Sequence, residues 1–333
     1  MKAEYDVVGL GNAIVDVIAS VSEGFLTSHG IRKGGMTLIE QDTVNALSAA
    51  FAGNCRRIAG GSGANTIAGI QSFGGKTGYI GKIAKDDYGA FFRKEMERVK
   101  IDFHTPPLEG EDVPSTACCM ICVTPDGERS MSTFLGASTE FSPDDVDADL
   151  IQNSNILYLE GYLFDKPDAK RAFVHAAAIA RKAERRVALT LSDSFCVDRH
   201  REAFRHLIHG HVDLLFANEA ELLSLYETDD FDAAIESLRE DASLAAVTRS
   251  EKGSVVITPD EVIAVPAEKV SKVVDATGAG DQYAAGFLYG YARNRRIRDC
   301  AKLGHIAAAE VISHYGPRPE TSYRRLAVQA GLL

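Results

Sequence analysis

The stretch Val273-Val274-Asp275-Ala276-Thr277-Gly278-Ala279-Gly280-Asp281 decides the fold prediction for this chain. Two β-branched residues lead into a turn of small residues, and the helix-compatible run from Gln282 to Leu288 follows it. A glycine-rich turn that opens a helix exposes backbone N–H groups without a helical partner, beside the positive end of the helix dipole. Such a turn is suited to bind a phosphate group.

Asp281 lies where the bound anion would sit in this turn. A carboxylate beside phosphate is electrostatically unfavourable unless it has a chemical task, and removing the proton of an attacking hydroxyl is such a task. The stretch by itself also fits a tight turn in which Asp281 is only an acid of the first helical turn. The rest of the chain decides between these interpretations.

The overall composition is typical of a soluble globular protein. The chain has 333 residues, of which 45% are hydrophobic and 25% are charged, and its formal net charge is -11. An acidic chain has no basic excess with which to bind nucleic acid. No apolar run approaches the ~20 residues of a membrane span, and the N-terminus has no signal pattern. We therefore expect a cytoplasmic protein without nucleic-acid or membrane partners.

Short apolar runs alternate with helical patterns from residue 151 onward, including predicted helices from Pro167 to Arg181 and from Glu219 to Tyr226. This alternation predicts an α/β fold with a doubly wound, mostly parallel sheet covered by helices on both faces. Extra strand-like runs near residues 15–20, 115–124 and 129–135 interrupt the rhythm and predict a small β-sheet lid. We place residues 1–12, 41–105 and 138–333 in the core domain, and residues 13–40 and 106–137 in the lid.

Several polar segments follow predicted strands, where ligands bind in a parallel sheet. Gly60-Gly61-Ser62-Gly63-Ala64-Asn65 is a second glycine turn, with Ser62 placed to cap the next helix. Asn218 and Glu221 stand one helical turn apart and suit a hydrated Mg²⁺, although an N-cap and a first-turn acid would look the same. Asp16 is an acid within an apolar strand, which also fits a solvated strand position.

The ordered set of these motifs resembles the ribokinase-type (phosphofructokinase-B) family of sugar and nucleoside kinases over nearly the whole chain. Within the family, the chain is most similar to the kinases that act on adenosine. The segments that carry the resemblance are Gly11 to Asp16, Gly60 to Asn65, Gly81 to Gly89, Asp213 to Glu221, Asp275 to Asp281, and Gly304-His305. The resemblance implies a ribokinase-like fold, ATP and Mg²⁺ as cofactors, and a monomer or homodimer, and it allows potassium as a further ion.

The resemblance also implies roles for individual residues. Asp281 would be the general base, the backbone of Gly278, Ala279 and Gly280 would hold the transferring phosphoryl group, and Arg129 would reach over from the lid. The acceptor would be bound by Asn12, Asp16, Gly60, Gly61, Ser62 and Asn65, with Leu38, Leu135 and Phe195 beside its base. ATP would contact Asn218, Thr248, Gly253, Gly278, Gly280 and His305. Glu221 and Asn218 would hold Mg²⁺ through water, and Asp275 and Thr277 would border the monovalent cation.

The function predicted on this basis is transfer of a phosphoryl group from ATP to the 5′-hydroxyl of a nucleoside, with adenosine converted to AMP. Glu160, where the family has a small residue, and Asp193 add acids near the acceptor pocket and leave the nucleobase open. A sugar kinase of the same family, acting on fructose or ribose, is one alternative. A non-catalytic nucleoside or nucleotide sensor on the same scaffold is another.

Overall fold

A computed structural model describes residues 3–333, without the side chain of residue 165. In this range the strands are β1 (Tyr5–Leu10), β2 (Ile14–Ser20), β3 (Met36–Leu38), β4 (Arg56–Ala59), β5 (Thr77–Ile80), β6 (Ile101–Asp102), β7 (Ala117–Val123), β8 (Arg129–Phe134), β9 (Ser154–Glu160), β10 (Arg186–Thr190), β11 (Leu214–Asn218), β12 (Ala245–Thr248), β13 (Ser254–Ile257) and β14 (Val262–Val265). The α-helices are α1 (Glu23–Ser28), α2 (Gln41–Phe51), α3 (Ser62–Ser72), α4 (Asp87–Arg98), α5 (Ala148–Gln152), α6 (Pro167–Lys182), α7 (Ser194–His211), α8 (Glu219–Tyr226), α9 (Phe231–Asp241), α10 (Ala279–Ala292), α11 (Ile297–Val311) and α12 (Tyr323–Gln329).

The larger sheet has the strand order β14-β13-β12-β11-β10-β9-β1-β5-β6. Its strands pair in parallel from β6 to β12, and β13 and β14 add an antiparallel edge. The predicted mostly parallel sheet is confirmed. Because parallel strands end at the same edge, the segments that follow β11 and β12 come together there. The two glycine turns do not follow strands of this sheet, since one follows β4 and the other, within residues 3–333, precedes α10 without a strand directly before it.

Helices cover both faces of this sheet, so neighbouring residues of one strand enter different cores. Val7 packs in one core and Val8 in the other, and Ile156 and Leu157 divide in the same way. Helices α3, α10 and α11 contribute to the first core, while α6, α7, α8 and α9 contribute to the second. Burial on both faces explains why the strands appear as continuous apolar runs in the sequence.

The predicted second, smaller sheet is also confirmed, with the strand order β3-β8-β7-β2-β4. The predicted boundaries place residues 41–105 in the core domain, but β4 pairs antiparallel with β2 in the smaller sheet. Strand periodicity does not say which of two sheets a short strand joins, so this assignment is wrong for residues 56–59. The division into a core and a lid otherwise stays a prediction. Within residues 3–333 we find no helix with the length and apolar character needed to cross a bilayer.

Candidate active site

The glycine turn before α10 is fixed by its backbone and by a close neighbour. Gly278 is the N-cap of α10 with φ of 81°, in the left-handed region that disfavours residues with a Cβ. A Cβ at this position would lie 2.7 Å from Pro317. A Cβ added to Gly280, by contrast, would meet nothing within 4 Å. The space in front of the helix N-terminus is therefore open at Gly280, as binding of an anion requires.

Asp281, in the first turn of α10, meets the second glycine turn. Ser62 Oγ donates to Oδ1 of Asp281 at 2.6 Å, and Asn65 Nδ2 donates to Oδ2 at 3.2 Å. The N-cap of α3 is Gly61 and not Ser62, so the prediction that Ser62 caps this helix is wrong. The Ser62 hydroxyl donates its hydrogen bond to Asp281 instead. The two turns singled out in the sequence thus form one site.

The environment of Asp281 brings the pKa of its carboxyl group close to neutral pH. Burial raises the pKa of Asp281 to about 6, while the hydrogen bonds from Ser62 and Asn65 and the charge of Arg318 act in the opposite direction. A carboxylate with this pKa is ionised at pH 7 and still accepts a proton readily. Asp281 therefore has the protonation behaviour of a general base.

Asp16 lies over the start of the second glycine turn. A Cβ on Gly60 would be 2.5 Å from the Asp16 carboxylate, so only glycine allows this approach. Burial raises the pKa of Asp16 to about 6, against the charges of Arg129 and Arg318. Across residues 3–333, no protein hydrogen-bond donor meets the Asp16 carboxylate. The carboxylate is half-buried and free to accept hydrogen bonds from a ligand.

Glu160 lies behind the same turn, fully buried at the end of β9. Its carboxylate accepts hydrogen bonds from Asn12 N at 3.2 Å, Asn12 Nδ2 at 3.3 Å and Gly63 N at 2.9 Å. Burial raises the pKa of Glu160 to about 7, although these donors lower it. Glu160 therefore holds the loops of the predicted acceptor site from inside.

Asp275 begins the first glycine turn and forms a buried ion pair with Arg129 of the smaller sheet. Thr277 N donates to its Oδ1 at 2.9 Å, and Gly316 N donates to its Oδ2 at 3.0 Å. Burial alone would raise the pKa of Asp275, but these donors and the Arg129 charge lower the pKa below its usual value. Arg129 thus binds the turn, and both Asp275 oxygens have protein partners. The role of Arg129 in the reaction, and the role of Asp275 and Thr277 beside a monovalent cation, stay predictions.

Asn218 and Glu221 form a capping box at the start of α8. The Asn218 side chain accepts from Glu221 N at 2.8 Å, and the Glu221 carboxylate accepts from Asn218 N at 3.0 Å and Nδ2 at 2.6 Å. Burial raises the pKa of Glu221 to about 7. Within the described chain, no group of three or more His, Cys, Asp or Glu residues could hold a metal by itself. The observed contacts are those of an N-cap and a first-turn acid, so contact with Mg²⁺ would have to pass through its water and stays a prediction.

The remaining predicted contact residues differ in their exposure to solvent. His305 is buried, with Nε2 2.9 Å from Ser254 Oγ, and burial lowers its pKa to about 4. Leu38 and Phe195 are 50% and 72% exposed, so neither is enclosed in a pocket here. Three more residues, partly or fully buried, complete the predicted set: Leu135, Thr248 and Gly253. None of these positions contradicts the predicted contacts, and none tests them.

Arg318 belongs to the site but is missing from the predicted residues. Its Nε donates to Asn65 Oδ1 at 3.2 Å, and its charge acts on both Asp16 and Asp281. Burial lowers the pKa of Arg318 to about 10, so the side chain is charged at pH 7. The only signal in the sequence is an arginine between Pro317 and Pro319, in the segment that joins α11 to α12.

The two sheets, and two glycine turns that meet at an aspartate in the first turn of a helix, define a ribokinase-like α/β fold. This chain shares the fold with solved kinase structures. The family model described as pfkB family carbohydrate kinase matches residues 40–322, and the chain belongs to this family.

Several solved structures match almost the whole chain. A probable sugar kinase from Rhizobium etli CFN 42 is 45% identical, with a TM-score of 0.91, and covers 99% of this chain and 100% of that chain. The adenosine kinase from Sinorhizobium meliloti is 50% identical, with a TM-score of 0.90, and the match covers 98% and 100% of the two chains. Adenosine kinase 2 from Arabidopsis thaliana is 27% identical over 345 residues, or 95% of this chain and 96% of that protein. All three are kinases by name, and two of the names give adenosine as the acceptor while the third gives a sugar.

Proposed function

We propose that this kinase transfers a phosphoryl group from ATP to the 5′-hydroxyl of a nucleoside, with adenosine converted to AMP. The observation that carries the proposal is the contact of Asp281 with Ser62 and Asn65. It joins the anion-binding end of α10 to the turn that the resemblance assigns to the sugar. A phosphoryl donor and a hydroxyl acceptor would therefore meet at Asp281.

Asp281 is the general base in this reaction. The 5′-oxygen forms a bond to the γ-phosphorus as the bond from that phosphorus to the leaving oxygen of ADP breaks, and the hydroxyl proton passes to Asp281. Ser62 and Asn65 hold one carboxylate oxygen each, which fixes the direction of the base before the acceptor binds. A pKa of about 6 matches a base that works near pH 7.

The N-terminus of α10 stabilises the charge of the transferred group. Phosphoryl transfer depends mainly on positioning and on electrostatic stabilisation of the spread negative charge. Gly280 is exposed at this helix N-terminus, where backbone N–H groups are suited to hold a phosphate group. Asn218 and Glu221 would hold Mg²⁺ through its water, and the ion would neutralise phosphate charge when bound.

Asp16 and the exposed apolar side chains support a nucleoside as the acceptor. A carboxylate without a protein donor can accept hydrogen bonds from the two neighbouring hydroxyls of a ribose ring. A free sugar would offer Asp16 similar hydroxyls, so a sugar kinase is the second candidate, in line with the name of the Rhizobium etli relative. A purine needs apolar contacts in addition, and Leu38 and Phe195 are large exposed residues that would gain from such contacts.

The test is ADP release from ATP and Mg²⁺ with adenosine, inosine, guanosine, cytidine, ribose or fructose as the acceptor. We expect the highest kcat/KM with adenosine. A preference for ribose or fructose would keep Asp281 in its role and overturn the nucleoside. Binding of ATP without turnover of any acceptor would support the sensor and contradict the proposed reaction.

A further inference from the structure

The loop that carries Arg318 is fastened to the glycine turn at three places. Gly316 N donates to Asp275 Oδ2 at 3.0 Å, and Pro317 packs against Gly278. Gln282, fully buried in α10, donates from Nε2 to Pro317 O at 2.8 Å and to Asn65 O at 3.0 Å. The same contacts that shape the turn therefore also determine where the Arg318 side chain lies.

The contact between Arg318 and Asn65 fixes the orientation of an amide. A guanidinium can only donate hydrogen bonds, and an ionised carboxylate can only accept them. With Arg318 Nε on Oδ1 of Asn65, the Nδ2 group must point to Asp281, which it contacts at 3.2 Å. Without Arg318, the Asn65 amide would lose the partner that excludes the reversed orientation.

Arg318 also balances the charges around Asp281. The carboxylates of Asp16 on β2, Glu160 on β9 and Glu221 on α8 all respond to the charge of Asp281. Ser62 and Asn65 on α3 face Asp281 as neutral donors, and Arg318 is the cation that acts on it. Arg129 acts on Asp16 but is paired with Asp275. The acidic side of the site therefore depends on Arg318 for its positive charge.

One atom of the Arg318 side chain, Nη2, is buried and has no hydrogen-bond partner within residues 3–333. A buried donor without a partner destabilises the fold. Such local conflicts are expected at functional sites, where geometry is retained at a cost in stability.

We propose that Arg318 is a positioning residue for the transfer reaction, which turns the Asn65 amide toward Asp281 and supplies a fixed positive charge beside the carboxylates of the acceptor site. This inference rests on the proposed function. It adds a residue from the segment between α11 and α12 to a site built from the two glycine turns, β2, β9 and the start of α8.

The test compares Arg318→Met, Arg318→Lys and the control Arg325→Met, whose arginine is exposed on α12. For each variant we would measure kcat and KM for the preferred acceptor, the pH profile of kcat/KM, KM for ATP, and the melting temperature. Arg318→Met should lower kcat by about 10- to 100-fold and move the acid limb of the profile to higher pH, since Asp281 loses its cation. Arg318→Lys keeps the charge, so kcat should fall while the acid limb stays in place. Arg325→Met should match the wild type.

The outcomes separate this inference from the proposed function. A wild-type enzyme without turnover would overturn the proposed function and the role of Arg318 together. With an active wild type, an unchanged acid limb in Arg318→Met would overturn the charge role, and an unchanged kcat in Arg318→Lys would overturn the orienting role. If Arg318→Met does not fold, the kcat of Arg318→Lys decides, because this variant retains the buried charge.

Discussion

Two aspartates of the same glycine turn have opposite environments. Asp281 lies at the start of α10 with two neutral donors, and burial raises its pKa to about 6. Asp275, six positions earlier, is paired with Arg129 and held by two backbone N–H groups, and its pKa lies below the usual value. Residue type is the same in both cases, so the surroundings alone set the behaviour.

The difference assigns separate tasks to the two ends of the turn. An aspartate whose pKa lies near 6 can exchange a proton at physiological pH, whereas one beside an arginine stays ionised. Asp275 joins the smaller sheet, through Arg129, to the turn and to the loop at Gly316. We therefore expect Asp281 to serve the reaction and Asp275 to serve the stability of the turn.

Replacement of Asp281 should give the largest effect on turnover. Asp281→Asn keeps the shape of the side chain but cannot take the proton, so we expect kcat to fall by about 10²-fold or more, the scale of general-base catalysis. Acceptor affinity, measured by calorimetry, should change little. The matched control is Asp112→Asn, at an exposed loop position, which should leave kcat unchanged. Near-normal turnover of Asp281→Asn would show that Asp281 is not the general base.

Replacement of Asp275 should act mainly on stability. Asp275→Asn removes the carboxylate paired with the buried Arg129 guanidinium, which should lower the free energy of unfolding by about 3 kcal/mol. Urea unfolding of Asp275→Asn, Arg129→Met and the double variant would measure the pair. The double variant should lose less than the sum of the two single losses, since it leaves no unpaired charge. Strict additivity would show that the two side chains do not stabilise each other.

Replacement of Glu160 should affect acceptor binding more than turnover. In Glu160→Gln one carboxylate oxygen becomes an NH₂ group, which cannot accept a hydrogen bond. At least one of the three donors, two from Asn12 and one from Gly63, would then lose its acceptor. We expect KM for the acceptor to rise by about 10-fold while kcat changes less, because the Asp281 contacts stay in place. Steady-state kinetics at saturating ATP measures both constants. Equal losses in kcat and kcat/KM, with KM unchanged, would instead mean that Glu160 stabilises the transition state and not the bound acceptor.

The sequence indicates the fold and the two glycine turns because both depend on local signals. Alternating apolar runs predict the parallel sheet, and the predicted helix from Glu219 to Tyr226 agrees with α8. Asp193, expected as an acid near the pocket, is the N-cap of α7 and accepts from Cys196 N, and its place beside the pocket stays a prediction. Glu160 is expected near the acceptor pocket, but its contacts with Asn12 and Gly63 are not, and Arg318 is not predicted at all. Arg318 contacts Asn65 across 253 positions, and no local pattern predicts which distant loops will meet.

The smallest predicted effect is a pH dependence of stability that separates the two aspartates. The pKa of Asp281 is raised from 3.8 to about 6, so the folded protein binds a proton before the unfolded chain does. The contribution of Asp281 to stability is therefore greatest below pH 4 and is lost as the pH rises through about 6. Asp275 has the opposite sign, because its pKa is lowered in the folded state. Asp281→Asn has no such group, so its free energy of unfolding relative to the wild type should increase between about pH 5 and pH 8, by about 1 kcal/mol or less. Urea unfolding of both proteins across this range measures the difference, and a difference that falls with pH would mean that Asp281 is not the carboxylate with the raised pKa.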